Sequence, residues 1–305
     1  MREHYGLEVA VSSTRCISLA HGAQIARQAP PPPPAVPAET LVTEIDGSLI
    51  PVVEYDLPPD SSSGAASGTE PWERRRHKRL LWKEVRLCAA RALGSTRTVY
   101  DATLGSVLEA GLAWEATARR AGLGSATRVH GLGDGAEWIA EQFALRFGAQ
   151  GRYLVDFYHV SDYVAAAAPA CASVAESAWL QRQQARLKTN DAAGVLGELA
   201  AHLEPQTVAP RKRRSDEPSP TPVRDAHRYL SARREQLDYA GALANGWPIG
   251  SGLIEGGHRH VIQARLKRSG AWWLERNARR IVALRVARAN GDWSRYWDRL
   301  PTLNN

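Results

Sequence analysis

Three acidic residues stand at points where predicted secondary-structure elements begin or end. Asp46 precedes a glycine within a strand-forming run, Asp134 lies between two glycines, and Glu255 follows a glycine-rich turn. Three carboxylates on separate elements could hold divalent metal ions during transfer of a phosphoryl group. The pattern therefore indicates a metal-dependent phosphoryl-transfer site.

Each acid, taken alone, also has an ordinary structural explanation. Asp46 before Gly47 is typical of a hairpin turn. Asp134 could cap the helix predicted from Glu137. Glu255 could be a first-turn glutamate, which the helix dipole favours. Only the three acids together, in this order, favour catalysis.

Other nucleophile and metal chemistries fit the sequence less well. His258 and His260 are two residues apart and would not share a helix face, so a zinc pair is not expected. Ser251 lacks the Gly-x-Ser-x-Gly sequence of a nucleophile elbow. The three cysteines are widely separated, which supports neither a disulfide framework nor a zinc cluster.

The charge of the chain indicates a polyanionic partner. The net charge is +7 and the pI is about 9.5. Arginine grips phosphate oxygens bidentately, so an arginine-rich chain favours nucleic acid. Two basic clusters are candidate DNA-binding residues: Arg259, Arg265, Lys267 and Arg268 after Glu255, and Arg211, Lys212, Arg213 and Arg214 in a proline-containing linker. A solvated helix face is the alternative for the first cluster.

Hydrophobic periodicity predicts the elements that must position these residues. Strands are expected at 43–55, 80–90, 97–100, 127–132 and 153–157, the first interrupted at Asp46-Gly47-Ser48 or after Pro51. Helices are expected at 106–121, 137–147, 160–203, 225–244 and 273–291. The first helix would bury a stripe through Leu108, Leu112 and Ala116. Strands followed by alternating helices and strands imply an α/β fold with a mixed sheet.

Four sequence blocks resemble a known enzyme family. They are Asp46-Gly47-Ser48, the seven residues from Gly133 to Ile139, Asp156-Phe157-Tyr158-His159, and the region from Gly250 through Glu255. In this order they resemble the DDE-type transposases of bacterial insertion sequences, of the ISKra type related to mutator-like transposases. The resemblance covers roughly residues 40–298.

The resemblance implies an RNase H-like mixed sheet flanked by helices, with an α-helical insertion before the last catalytic helix. It implies that Asp46, Asp134 and Glu255 are catalytic and bind two Mg²⁺ or Mn²⁺ ions, because hard cations prefer carboxylate oxygens. Asp156 and His159 would support the site. The implied partners are transposon ends and target DNA, with the protein acting as a homo-oligomer.

The same resemblance suggests the domain organisation. Residues 1–28 would be the end of an N-terminal helical DNA-binding region, so we expect an N-terminally truncated chain, and residues 29–41 a proline-rich linker. Residues 42–160 and 246–305 would form the catalytic core. Between them, residues 161–245 would be the helical insertion, with a basic linker at 205–222.

The function expected from the sequence is strand cleavage at transposon ends followed by transesterification into target DNA. A catalytically inactive remnant that only binds DNA is the first alternative, and an RNase H-like nuclease without strand transfer is the second. No apolar run approaches the length of a membrane span, and the first residues lack a signal-peptide core. We therefore expect a cytoplasmic, nucleoid-associated protein with no membrane partner.

Overall fold

A computed structural model describes residues 9–28, 31–34, 36–55, 78–172, 174–205 and 219–300. The chain divides into two compact units. The first comprises the described parts of Met1–Ala38, Ile45–Ser125 and Leu253–Asn305, and the second those of Glu39–Glu44 and Ala126–Gly252. None of the helices in these ranges combines the length and the apolar character needed to cross a membrane.

Five strands form one mixed sheet. They are β1 (Thr40–Tyr55), β2 (Lys78–Ala92), β3 (Val99–Thr103), β4 (Arg128–Gly133) and β5 (Gly151–Val155). Their order is β3-β2-β1-β4-β5. The β4 strand pairs in parallel with β1 and with β5, and β2 pairs antiparallel with β3. The sheet is flanked by helices, so the expected mixed α/β class is confirmed.

Helices occupy all the stretches that the periodicity predicts as helical, but the stretches 160–203 and 225–244 are divided into three and two α-helices. The helices are α1 (Val11–Ile25), α2 (Val107–Ala121), α3 (Glu137–Phe147), α4 (Phe157–Cys171), α5 (Glu176–Lys188), α6 (Ala192–Ala200), α7 (Pro222–Ala232), α8 (Tyr239–Ala244), α9 (Gly252–Gly257), α10 (Ala264–Leu266), α11 (Glu275–Ala289) and α12 (Trp293–Asp298). A π-helical segment, His258–Gln263, joins α9 to α10. Short 3₁₀ turns occupy Gly148–Gln150 and Arg234–Gln236.

In the second unit, the helices between 157 and 244 share one apolar core with the ends of β4 and β5. Leu132, Val155, Val164 and Leu230 belong to this core and are fully buried. Burial of such side chains contributes roughly 1.5–3 kcal/mol each. The segment predicted as an insertion is therefore packed as one body with these strand ends.

The first unit has its own core. Ile50 of β1, Leu87 of β2 and Ile262 of the π-helical segment are fully buried in it, together with the buried face of α11. Helix α1 packs against α11 so closely that a Cβ on Gly22 would lie 2.3 Å from the carbonyl oxygen of Arg280. This contact requires glycine at position 22.

The predicted interruption of the first strand is wrong. Strand β1 continues from Thr40 through Asp46 and Gly47 to Tyr55. A Cβ on Gly47 would lie 1.9 Å from Oε1 of Glu84. The glycine therefore makes room for a side chain of β2, and Asp46-Gly47 does not form a hairpin turn.

The predicted buried stripe of α2 is also wrong, although the helix itself is confirmed. Leu108 and Leu112 are 56% and 50% exposed, whereas Trp114 and Ala118 are fully buried. The helix starts with a capping box in which Ser106 and Glu109 bond each other's backbone N–H groups. The buried face is thus centred on small residues and one tryptophan, which a leucine-based pattern does not identify.

Glycine at position 131 on β4 should be essential for stability. In Gly131→Ala, the new Cβ would lie 2.2 Å from Cε2 of Phe143. That ring packs against the rings of Phe147 and Tyr153, with centroids 5.0 and 5.5 Å away, so a shift would disturb both contacts. We expect a loss of about 1–3 kcal/mol in the free energy of unfolding, measured by urea denaturation.

Gly197→Ala is the matched control, because nothing lies within 4 Å of a Cβ at this position of α6. It should be neutral or stabilising by up to about 1 kcal/mol, since alanine is the better helix former. Equal effects of the two substitutions would contradict the packing described for β4.

Candidate functional site

Asp134 lies in the turn that follows β4 in the second unit. Its Oδ1 accepts a hydrogen bond from the backbone N–H of Ala136 at 2.8 Å. Gly135, between them, has a φ of 79°, which glycine adopts without strain. The N-cap residue of α3 is Ala136, and no side chain caps this helix. Asp134 therefore shapes the turn at the strand end and does not cap α3.

Asp156 is buried in the same unit and connects segments that are distant in sequence. It is the N-cap residue of α4, and its Oδ1 accepts from the backbone N–H of His159 at 2.9 Å. Its Oδ2 accepts from the backbone N–H of Ser251. Its own N–H donates to the carbonyl oxygen of Gly133 at 2.8 Å. Both carboxylate oxygens thus accept hydrogen bonds from backbone N–H groups of the second unit.

The ring of His159 belongs to an aromatic cluster. It lies edge-on to Tyr163 and Tyr229, and these two tyrosines stack with their centroids 4.1 Å apart. The Arg233 guanidinium lies 4.0 Å from the Tyr229 ring centroid. Burial raises the pKa of Tyr229 and, on β5, that of Tyr153. Both phenols therefore stay protonated at neutral pH and can donate hydrogen bonds.

Asp46 contacts a buried histidine in the first unit. The Nε2 atom of His258 lies 3.2 Å from the backbone oxygen of Asp46 and 3.4 Å from its Oδ2. Because a carbonyl oxygen can only accept, Nε2 carries a proton here. The Oδ1 of Asp46 accepts from the N–H of Gly47 at 2.7 Å. Burial lowers the pKa of His258 to about 4, so the ring is neutral at physiological pH.

Glu255 is exposed in the first turn of α9, three residues before His258. It belongs to the first unit with Asp46, whereas Asp134 belongs to the second. The three carboxylates are donors of the type that Mg²⁺ prefers. Among the residues described, however, no three His, Cys, Asp or Glu side chains are grouped so that they could hold one metal ion.

The basic residues after Glu255 form an exposed segment. Its members, Arg259, Arg265, Lys267 and Arg268, are all exposed. The Arg265 guanidinium lies 4.9 Å from the ring centroid of Trp273, which orients it on the surface. The other predicted cluster, Arg211, Lys212, Arg213 and Arg214, falls outside the described residues.

Comparison with known proteins identifies a family for this chain. Residues 124–298, more than half of the sequence, match the family described as "Uncharacterised protein family (UPF0236)". The chain belongs to this family. The matched UPF0236 segment contains Asp134, Asp156 and Glu255, whereas Asp46 precedes it. No curated protein and no solved structure matches the chain.

Three residues of this UPF0236 chain that the sequence does not indicate contact Asp46, Asp134 or the turn that carries Asp134. The sequence places His258 three residues after Glu255 in one helical run, but its spacing gives no sign of the contact with Asp46. Tyr229 and Arg233 bond the carbonyl oxygens of Asp134 and Gly135. These two contacts span 95 and 98 residues, so a local sequence pattern does not predict them.

The buried His258 should make stability sensitive to acid. The unfolded chain binds a proton on this histidine near pH 6.5, whereas the folded chain does so only near pH 4. The stability linked to the neutral ring is therefore complete above pH ~6.5 and is lost as the pH falls towards 4. The expected loss is about 3 kcal/mol in the free energy of unfolding, measured by urea denaturation in EDTA-treated buffer.

His258→Gln should lose correspondingly less stability across this pH interval. His260→Gln is the matched control, because His260 lies in the same π-helical segment but is exposed. It should follow the unmodified protein. If His258→Gln shows the same pH slope as His260→Gln, the burial argument for His258 is wrong.

Proposed function

We propose that this chain is the catalytic domain of a DDE-type DNA transposase with an RNase H-like fold. In this proposal it cleaves a DNA strand at transposon ends, and the freed 3′ hydroxyl then attacks target DNA as the protein acts as a homo-oligomer. Asp46, Asp134 and Glu255 are the catalytic residues, supported by Asp156 and His159. The observation that carries the proposal is the register of the two strands leading to the aspartates.

In the parallel pairing of β1 with β4, Glu44 is opposite Leu132. Asp46 lies two residues after Glu44, and Asp134 lies two residues after Leu132. Asp46 lies within β1, and Asp134 is the first residue after β4, so each acid follows the paired stretch of its strand. The proposal expects its first two acids to follow two neighbouring strands in this way.

The charge distribution supports DNA as the partner. The exposed basic segment follows Glu255 within 13 residues, from Arg259 to Arg268. Lysine and arginine beside a nuclease site neutralise backbone phosphates and hold the strand irrespective of its sequence. A chain of net charge +7 would also be drawn to DNA from a distance.

The proposal includes a divalent metal ion at the three acids. Bound Mg²⁺ or Mn²⁺, held by Asp46, Asp134 and Glu255, would supply positive charge to the attacking and leaving oxygens at phosphorus. The chain itself contributes the orientation of these acids. In the turn after β4, the N–H of Ala136 orients the Asp134 carboxylate. The buried neutral ring of His258 bonds the backbone oxygen of Asp46. His258 adds no charge that would compete with a cation.

Asp134→Asn should separate catalysis from DNA binding. The substitution removes a negative charge, but an asparagine Oδ1 can still accept from the N–H of Ala136. Cleavage of end-containing DNA should fall by orders of magnitude while DNA affinity is retained. Gel-based cleavage and fluorescence-anisotropy assays measure the two quantities.

Asp162→Asn, at an exposed position of α4, is the charge-matched control and should leave cleavage intact. Addition of excess EDTA to the unmodified protein should abolish cleavage. Nicking that continues undiminished in EDTA, or an Asp134→Asn protein that cleaves normally, would exclude the proposed mechanism.

Replacing Arg265, Lys267 and Arg268 with alanine should give the opposite result. Each lost phosphate contact should weaken binding to every DNA sequence and reduce the slope of log affinity against log salt by about one. A control that replaces three exposed arginines of the second unit, Arg152, Arg182 and Arg234, removes the same charge. Equal losses in the two triple variants would show that only net charge matters.

The same assays distinguish the alternatives. A protein that binds DNA but never cleaves it, also when supplied with an upstream DNA-binding region, is the inactive remnant. A protein that cleaves but joins no product to target DNA is an RNase H-like nuclease without strand transfer.

A further inference from the structure

The backbone of the Asp134 turn is held by two side chains that come from α7 and its end. The hydroxyl of Tyr229 donates to the carbonyl oxygen of Asp134. The Nε of Arg233, the C-cap residue of α7, donates to the carbonyl oxygen of Gly135 at 2.7 Å. Residues four apart in a helix lie on the same face, so one helical surface supplies both donors.

The two donors are themselves fixed. Tyr163 of α4 stacks on Tyr229 with an angle of 13° between the rings. Arg233 lies over the Tyr229 ring and also donates from Nη1 to the backbone oxygen of Tyr229 at 3.2 Å. Tyr229 is only 7% exposed. Stacked and buried side chains lose few alternative conformations when they bond the turn, so they hold it rigidly.

Gly135 shows that the turn and the two donors fit each other closely. A Cβ at this position would lie 2.5 Å from Nε of Arg233 and 2.7 Å from the hydroxyl oxygen of Tyr229. The positive φ already favours glycine there. The space that a side chain would occupy is thus filled by the donors from α7.

We propose that Tyr229 and Arg233 are positioning residues that fix the direction of the Asp134 carboxylate. The consequence for catalysis rests on the proposed function, whereas the effect on the turn does not. Catalytic groups must be held within about 0.5 Å of their working positions. Two hydrogen bonds from fixed side chains to the carbonyl oxygens of Asp134 and Gly135 restrict the turn in this way.

Tyr229→Phe and Arg233→Lys test this proposal with little change in packing. The first keeps the stacked ring and removes the hydroxyl, and the second keeps the positive charge and removes the Nε donor. Tyr163→Phe and Arg234→Lys are the matched controls, one in the same stack and the other an exposed neighbour. Thermal unfolding midpoints should be similar in each test and control pair.

The first measurement is hydrogen exchange at the amide of Ala136, whose N–H bonds the Asp134 carboxylate. We expect exchange about tenfold faster in both test variants and unchanged in both controls, because loss of a donor frees the turn. Unchanged exchange in the test variants overturns the proposal, whether or not the protein cleaves DNA.

The second measurement is the kinetics of DNA cleavage. We expect kcat to fall by about 10- to 100-fold in the test variants with KM for DNA unchanged, since only the orientation of the acid is affected. Faster exchange together with unaltered kcat in an active enzyme also overturns the proposal. If the unmodified protein does not cleave DNA, the proposed function fails and the exchange result alone decides the role of Tyr229 and Arg233.

Discussion

The buried carboxylate of Asp156 holds separate segments of the second unit together. A buried charge is tolerated only when hydrogen bonds replace its lost hydration. Here one oxygen bonds the start of α4 and the other bonds the N–H of Ser251. The N–H of the next residue, Phe157, donates to the carbonyl oxygen of Ile249 at 2.8 Å. One acid at a strand end thus ties a strand, a helix and the glycine-rich turn together.

Much of the fold could be predicted because local signals agree with tertiary packing. Helix α3 has the predicted bounds, and β4 ends at Gly133 as the glycines around Asp134 indicate. The predictions failed where a distant side chain decides the outcome. Gly47 signalled a turn, but it lies in a continuous strand because Glu84 of β2 occupies the space beside it. Leu108 and Leu112 of α2 are exposed because the buried face of this helix carries Trp114 and Ala118 instead.

The candidate site was predictable to a smaller extent. The neighbouring glycines and the order of the four sequence blocks indicate Asp134, Asp156 and Glu255. All three lie in the segment that matches the family. The hydrogen bonds of the Asp156 carboxylate are visible only in the structure, since its partners include Ser251, 95 residues away. The contact of His258 with Asp46 spans 212 residues. Sequence spacing carries no information about such pairings.

The bonds from α7 to the Asp134 turn also have a consequence for the order in which parts of the chain fold. During synthesis, β4 leaves the ribosome well before Tyr229 and Arg233, which follow Asp134 and Gly135 by 95 and 98 residues. Closing a loop of that length has an entropic cost, which packing of the unit's apolar core offsets. The acid-bearing turn therefore acquires its final geometry late, after α7 has docked. A nascent chain that carries both aspartates would still hold Asp134 loosely.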